Sequence, residues 1–169
     1  MNSKQVVAAV SVVVLLIILV YPALLTGTIS VAIGSMKIDN ADHVYLTIKG
    51  IWVHEKGQSN ATGWKSVYNQ SQVVDLISLE NSTNPLATSK MSVASYDSVR
   101  VVVSNVTWVF NQTTTKLLTA SPNLDSNIEF TVAASKDLSI TILLGGHQET
   151  VGGLKYFATI VKVTVAEMS

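Results

Sequence analysis

Between Thr28 and Met36 the chain reads Thr-Ile-Ser-Val-Ala-Ile-Gly-Ser-Met. Ile29, Val31 and Ile33 fall on one face of an extended strand, and the small residues Ser30, Ala32 and Gly34 on the other. The same two-residue period returns in His43 to Val53. There Val44, Leu46 and Ile48 alternate with Tyr45, Thr47 and Lys49, and Gly50 marks a bulge before Ile51, Trp52 and Val53. After the polar turn Glu55 to Gly63, shorter strands are predicted at Trp64 to Tyr68 and Val73 to Ile77. Asn81 to Pro85 reads as a loop, and Met91 to Tyr96 leads into the longest run, Ser98 to Phe110.

That run disagrees with itself about which face is inside. Val99, Val101 and Val103 bury the odd positions, whereas Val106, Trp108 and Phe110 bury the even ones. A bulge near Ser104 and Asn105 reconciles the halves and turns Asn105 outward. Strands at Ile128 to Val132, Leu138 to Leu144 and Tyr156 to Val165 bring the total to about nine, with Gly145-Gly146 and Gly152-Gly153 bracketing a hairpin tip. In the last of these strands Phe157, Thr159, Val161 and Val163 share a face. No helical period is sustained after Leu25, so the expected fold is all-β, an Ig-like β-sandwich over residues 37–169.

The segment ahead of this pattern has a different character. Lys4 precedes an apolar run from Val6 to Leu25, broken by Tyr21-Pro22, and Gly27 offers a small residue before a cut. Residues 1–27 read first as a secretory signal cleaved after Gly27, and second as an uncleaved anchor, since the run is about long enough to span a bilayer. A type IV pilin leader ranks third, because no small residue lies between Lys4 and Val6 and Pro22 stops the helix early. Cleavage leaves about 140 residues, the size of one ordinary domain. An N-terminal strand behind such a leader either folds back into its own sheet or pairs with the open edge of another copy.

Charge narrows the function classes. Eleven basic and eleven acidic residues balance, at 13 % charged residues, so no basic face for nucleic acid is expected. The chain has no cysteine, which removes disulfides, thiolate metal sites and cysteine nucleophiles together. Its three histidines are His43, His54 and His147. The first two stand at opposite ends of one predicted strand, roughly 35 Å apart, too far to share a metal. No nucleophile elbow, phosphate loop or zinc-binding His pair is present. The expectation is therefore a protein that is not an enzyme and needs no cofactor or metal.

One motif exceeds chance. Asn-x-Ser/Thr occurs at Asn60, Asn69, Asn81, Asn105 and Asn111, five acceptors where this composition gives about two. Occupied, they would coat the surface with N-linked glycans, and each requires its Asn to face solvent.

The segments Gly27-Thr-Ile-Ser-Val, His43-Val-Tyr-Leu-Thr-Ile-Lys-Gly-Ile-Trp-Val-His, Trp64, Val74-Asp-Leu-Ile-Ser-Leu-Glu and Ser95-Tyr-Asp-Ser-Val-Arg-Val-Val-Val resemble a secreted domain-of-unknown-function family. Subunits of archaeal thread filaments look like members of it. The resemblance covers most of Gly27 to Phe110 and implies a glycosylated extracellular cell-surface filament. In it, each N-terminal strand completes the sandwich of the next copy, an arrangement called donor-strand complementation. Carried onto this chain, the donor is residues 28–36, with Thr28, Ile29, Val31 and Ile33 entering the neighbour. The implied partner is the chain itself in a homopolymer, with membrane involved only through the leader during export. Burying three such side chains is worth about 5 to 9 kcal/mol per junction before ordering costs. An alternative of a different class is a membrane-anchored binding module for surface glycan or a partner protein, using His147, Gln148 and Glu149 in the Gly145 to Gly153 tip. A third is an accessory subunit of a membrane complex.

Overall fold

The computed structural model describes residues 25–168. The leader expectations that rest on residues 1–24 lie outside them. Ten strands follow one another: β1 (Thr26–Ser35), β2 (His43–Glu55), β3 (Trp64–Tyr68), β4 (Gln72–Asp75), β5 (Thr83–Ser92), β6 (Ala94–Phe110), β7 (Thr113–Thr119), β8 (Asn123–Val132), β9 (Asp137–Val151) and β10 (Leu154–Glu167). A single 3-10 turn, Ile77–Leu79, lies between β4 and β5.

The strands run in the order β3-β2-β6-β7-β10-β9-β1-β5, with β4 also on β2 and β8 also on β6. The sheet folds over at β7. Thr113 to Leu117 pair with Phe110 to Val106, whereas Leu118 and Thr119 pair with Tyr156 and Phe157 of β10. The all-β expectation holds, and the two packed layers are one continuous sheet that nearly closes into a barrel. Its interior is filled by alternate residues of each layer. Val44, Leu46 and Ile48 from β2 and Val99, Val101 and Val103 from β6 face Ile29, Ile33, Ile140 and Ile142, all at 1 % exposure or less.

Both parity changes have the expected cause. In β2 the pairing steps from Ile48↔Val103 to Gly50↔Val102, so Lys49 bulges out and the buried set passes from even to odd positions. In β6 it steps from Thr47↔Ser104 to Leu46↔Val106, which leaves Asn105 unpaired, exposed, and left-handed at φ 38°. Asn tolerates that region better than other side-chain-bearing residues.

Other expectations are corrected. Thr83 to Pro85 belong to β5 rather than a loop. There the pairing steps between Val31↔Ala87 and Ala32↔Pro85, and an edge strand with a bulge accommodates proline. Met91 and Ser92 close β5 and Ala94 opens β6, so the expected strand Met91 to Tyr96 is divided at Val93. Gly145 and Gly146 lie within β9, and a Cβ at Gly146 would collide with the Ala158 carbonyl oxygen; the requirement there is close approach, not a turn. The turn is Gly152-Gly153 alone, with φ of 59° and 80°, the two-residue hairpin that needs left-handed backbone at both positions. The Gly145 to Gly153 segment is thus mostly strand, and its His147, Gln148 and Glu149 pair with β10.

Tyr96 carries a pH prediction. Its side chain is fully buried, stacks on Phe130 at 5.3 Å, and donates from its hydroxyl to the Ser92 carbonyl at 3.1 Å. Burial, and secondarily the charge of Glu55, push its pKa above the ordinary 10.0. The fold therefore holds the neutral phenol, and this contribution is complete below the unfolded value and lost as pH rises past it toward the folded pKa. The unfolding midpoint is expected to fall above about pH 10, and to fall less steeply in Tyr96→Phe. A midpoint-against-pH curve identical for both proteins would remove Tyr96 from the alkaline limb.

Candidate functional site

β1 enters the sheet between two strands distant from it in sequence. Along one edge Thr26 to Gly34 run antiparallel to Ser92 to Thr83 of β5; along the other Thr28 to Ser35 run parallel to Asp137 to Leu144 of β9. Ile29, Val31 and Ile33, at 0, 1 and 0 % exposure, lie directly beside Leu138, Ile140 and Ile142. The thin face is also used. A Cβ at Gly34 would come within 2.8 Å of Leu143 Cδ2, and on the apolar face one at Gly27 would meet the Ala133 carbonyl oxygen. The Thr28 amide donates to the Lys136 carbonyl at 2.9 Å and the Met36 amide to the Leu144 carbonyl at 2.8 Å, closing the ladder at both ends.

In the single chain, then, β1 fills a groove of its own domain. The strand begins at Thr26, two positions before the expected mature N-terminus at Thr28. β5 pairs with β1 and with no other strand among the described residues, so removing β1 would both open the core and detach β5 from its layer. Residues 36–42 then carry the chain across to β2 in the opposite layer as a strand-free segment, held by the Met36 amide on Leu144, the Ile38 amide on Glu80 and the Asp42 amide on Val109. Phe157 and Val163 of β10 are buried in the core, with Val161 packed against it; β10 reaches β1 only through β9. The groove walls are therefore β5 and β9.

All five sequon asparagines are exposed. Asn60 lies in the β2–β3 connection, Asn69 between β3 and β4, Asn81 just before β5, Asn105 at the β6 bulge and Asn111 in the β6–β7 turn. At the end of the sandwich where this turn lies is a cleft of about 580 Å³, bordered by Asp39 and Asn40 from the β1–β2 loop, Phe110 and Asn111 from β6 and its turn, and Gln148 and Lys155 from the β9–β10 hairpin.

Each of the three histidines stands against a carboxylate of its own. His43 Nδ1 lies 2.7 Å from Asp75 Oδ2, His54 Nδ1 2.9 Å from Asp97 Oδ1, and His147 Nε2 2.8 Å from Glu149 Oε1. His54 is buried at 8 % exposure, with its other ring nitrogen 3.3 Å from the Ser59 carbonyl, which ties the Asn60 loop to β2. Arg100 grips Asp125 through two 2.7 Å bonds and lies 3.9 Å over the Trp64 ring; the Asp125 carboxylate raises its pKa further. Among the described residues no three His, Asp or Glu side chains are placed to hold a metal ion.

The fold and its groove define an all-β near-barrel whose first strand is an insert between later ones. The chain belongs to the family described as a domain of unknown function, DUF4382, whose model matches residues 26–156, from the start of β1 into β10. No curated protein and no solved structure matches it.

Proposed function

We propose that this protein is the structural subunit of an N-glycosylated extracellular filament, in which β1 of each copy fills the groove between β5 and β9 of the next. The observation that carries this reading is the placement of β1. An N-terminal strand supplies three fully buried side chains and ladders along both of its edges to a groove built from residues at least 48 positions later, and is joined to β2 by the strand-free segment 36–42. A strand with such a joint can leave its own groove and enter an identical one without altering a single contact within that groove. Five exposed sequons and the resemblance to archaeal thread subunits support the same reading. No catalytic step, cofactor or nucleic-acid partner is assigned to the chain.

Electron microscopy of material sheared from cells, with antibody against the folded chain and mass spectrometry of its N-terminal peptide, tests the proposal. Labelled thin filaments are expected, built from chains that begin near β1. Label confined to membranes, on chains that still begin at Met1, would replace this reading with an anchored binding module.

A further inference from the structure

The β6–β7 turn is two residues long. Asn111 and Gln112, at φ 46° and 61°, join the directly paired Phe110 and Thr113. Directly opposed residues share a face, so Phe110 and Thr113 stand side by side, on the same face as Trp108 and Thr115 two pairs further in. Trp108 is buried at 6 % exposure and packs on Phe157 at 6.2 Å. Phe110, of the same inward parity, lies beyond the core and is 44 % exposed in the open cleft. Asn111 borders this cleft too. The Asn111 amide N–H donates to Asp42 Oδ2 at 2.8 Å, which fixes the turn, while its side-chain amide makes no hydrogen bond within the described residues.

An exposed phenyl ring beside a threonine methyl, immediately flanking a sequon Asn, is a surface for the apolar C–H face of a sugar ring. Around it Asp39, Asn40, Gln148 and Lys155 line the same cleft and offer both donors and acceptors for sugar hydroxyls. The cleft volume of about 580 Å³ lies within the range of roughly 300–1,000 Å³ typical of small-molecule sites. We propose that this cleft is the seat of the chain's own glycan: the first sugar linked to Asn111 lies on Phe110 and Thr113, and the next contact the cleft walls instead of projecting into solvent. Attachment is a transfer from an activated sugar diphosphate: the Asn111 Nδ2–C1 bond forms, the C1–oxygen bond to the diphosphate breaks, and one amide proton is released. The inference rests on the N-glycosylation in the proposed function and is independent of strand exchange.

The test uses the full chain expressed in a host that N-glycosylates, with occupancy read by glycopeptide mass spectrometry and stability by the thermal midpoint. Asn111 is expected to be occupied. Asn111→Gln is expected to lower the midpoint by roughly 2–4 °C, and to lower it no further once Phe110→Ala is in place. Asn69→Gln serves as the comparison, its effect adding to that of Phe110→Ala without coupling. The same Phe110 and Asn111 variants made in a host that lacks N-glycosylation are expected to show no coupling, which separates the sugar from the turn itself. Coupling that persists without glycan would overturn the inference, and so would strict additivity on the glycosylated chain. An empty Asn111 on a chain whose other sequons carry sugar would overturn it alone, and a chain with no occupied sequon would overturn the glycoprotein reading with it.

Discussion

Chains carrying Val31→Asp together with Ile33→Asp are expected to be exported but to yield no filaments, only monomers or aggregates. Both side chains are at 1 % exposure or less, flanked by Ile140 and Ile142. A carboxylate in either place has no cation and no donor within that apolar row, and an unpaired buried charge costs several kcal/mol. Two of them match or exceed the roughly 5–15 kcal/mol that holds a domain together, so the strand is expelled rather than accommodated. Expulsion also frees β5, whose ladder is with β1. The decisive complement is supplied in trans. A synthetic peptide of residues 26–36 with the natural sequence should bind the variant and restore its cooperative unfolding, because the residues of β5 and β9 that pair with β1 are unchanged and can close around the peptide. Normal filaments from the double variant would remove β1 from the junction. Failure of the peptide to bind would mean that the groove does not survive without its strand.

The alternation in β2 and β6 was legible because each apolar position is fixed by the layer it faces, and each parity change by a residue suited to a bulge: Gly50 next to Lys49, and Asn105. β5 and β7 were not legible. β5 reads Thr-Asn-Pro-Leu-Ala-Thr-Ser-Lys-Met-Ser and buries only Met91 fully; it is a strand because β1 offers it a ladder, a condition that local sequence does not carry. β7, Thr-Thr-Thr-Lys-Leu-Leu-Thr, turns from one layer to the other and buries only Leu117 fully, so it lacks a one-sided apolar period. The same limit governs the sites. Ile29, Val31 and Ile33 announce a buried face, but their partners Leu138, Ile140 and Ile142 lie more than a hundred residues away. The sequon at Asn111 was visible as a motif. The cleft beside it is assembled from three segments near positions 39, 111 and 148, and only the closure of the sheet brings them together.

An engineered disulfide across β1 and β5 is expected to join every subunit covalently to the next. Ser30 and Thr88 are directly opposed in the antiparallel pair, with their hydroxyl oxygens 3.1 Å apart. Opposed residues in such a pair have Cα atoms about 4.5–5.5 Å apart, inside the span that a disulfide bridges without strain. The natural chain contains no cysteine, so Ser30→Cys combined with Thr88→Cys introduces the only two thiols and leaves one possible pairing chemistry. Where β1 belongs to the neighbour, the thiol at position 30 of one copy oxidises against the thiol at position 88 of the next. Purified filaments then run on a denaturing, non-reducing gel as a ladder that collapses to a single band on reduction. Where β1 stays in its own groove, the same oxidation closes a loop within one chain, and the gel shows a monomer of altered mobility with no ladder. Each single variant should leave monomers only, since a lone thiol at either position faces no partner in the ladder. Because the β1–β5 contact is the same whether the strand is kept or exchanged, no stability measurement separates the two states, whereas covalent connectivity does. A monomeric band from intact, oxidised filaments would place the junction elsewhere and leave β1 as a structural strand of its own domain.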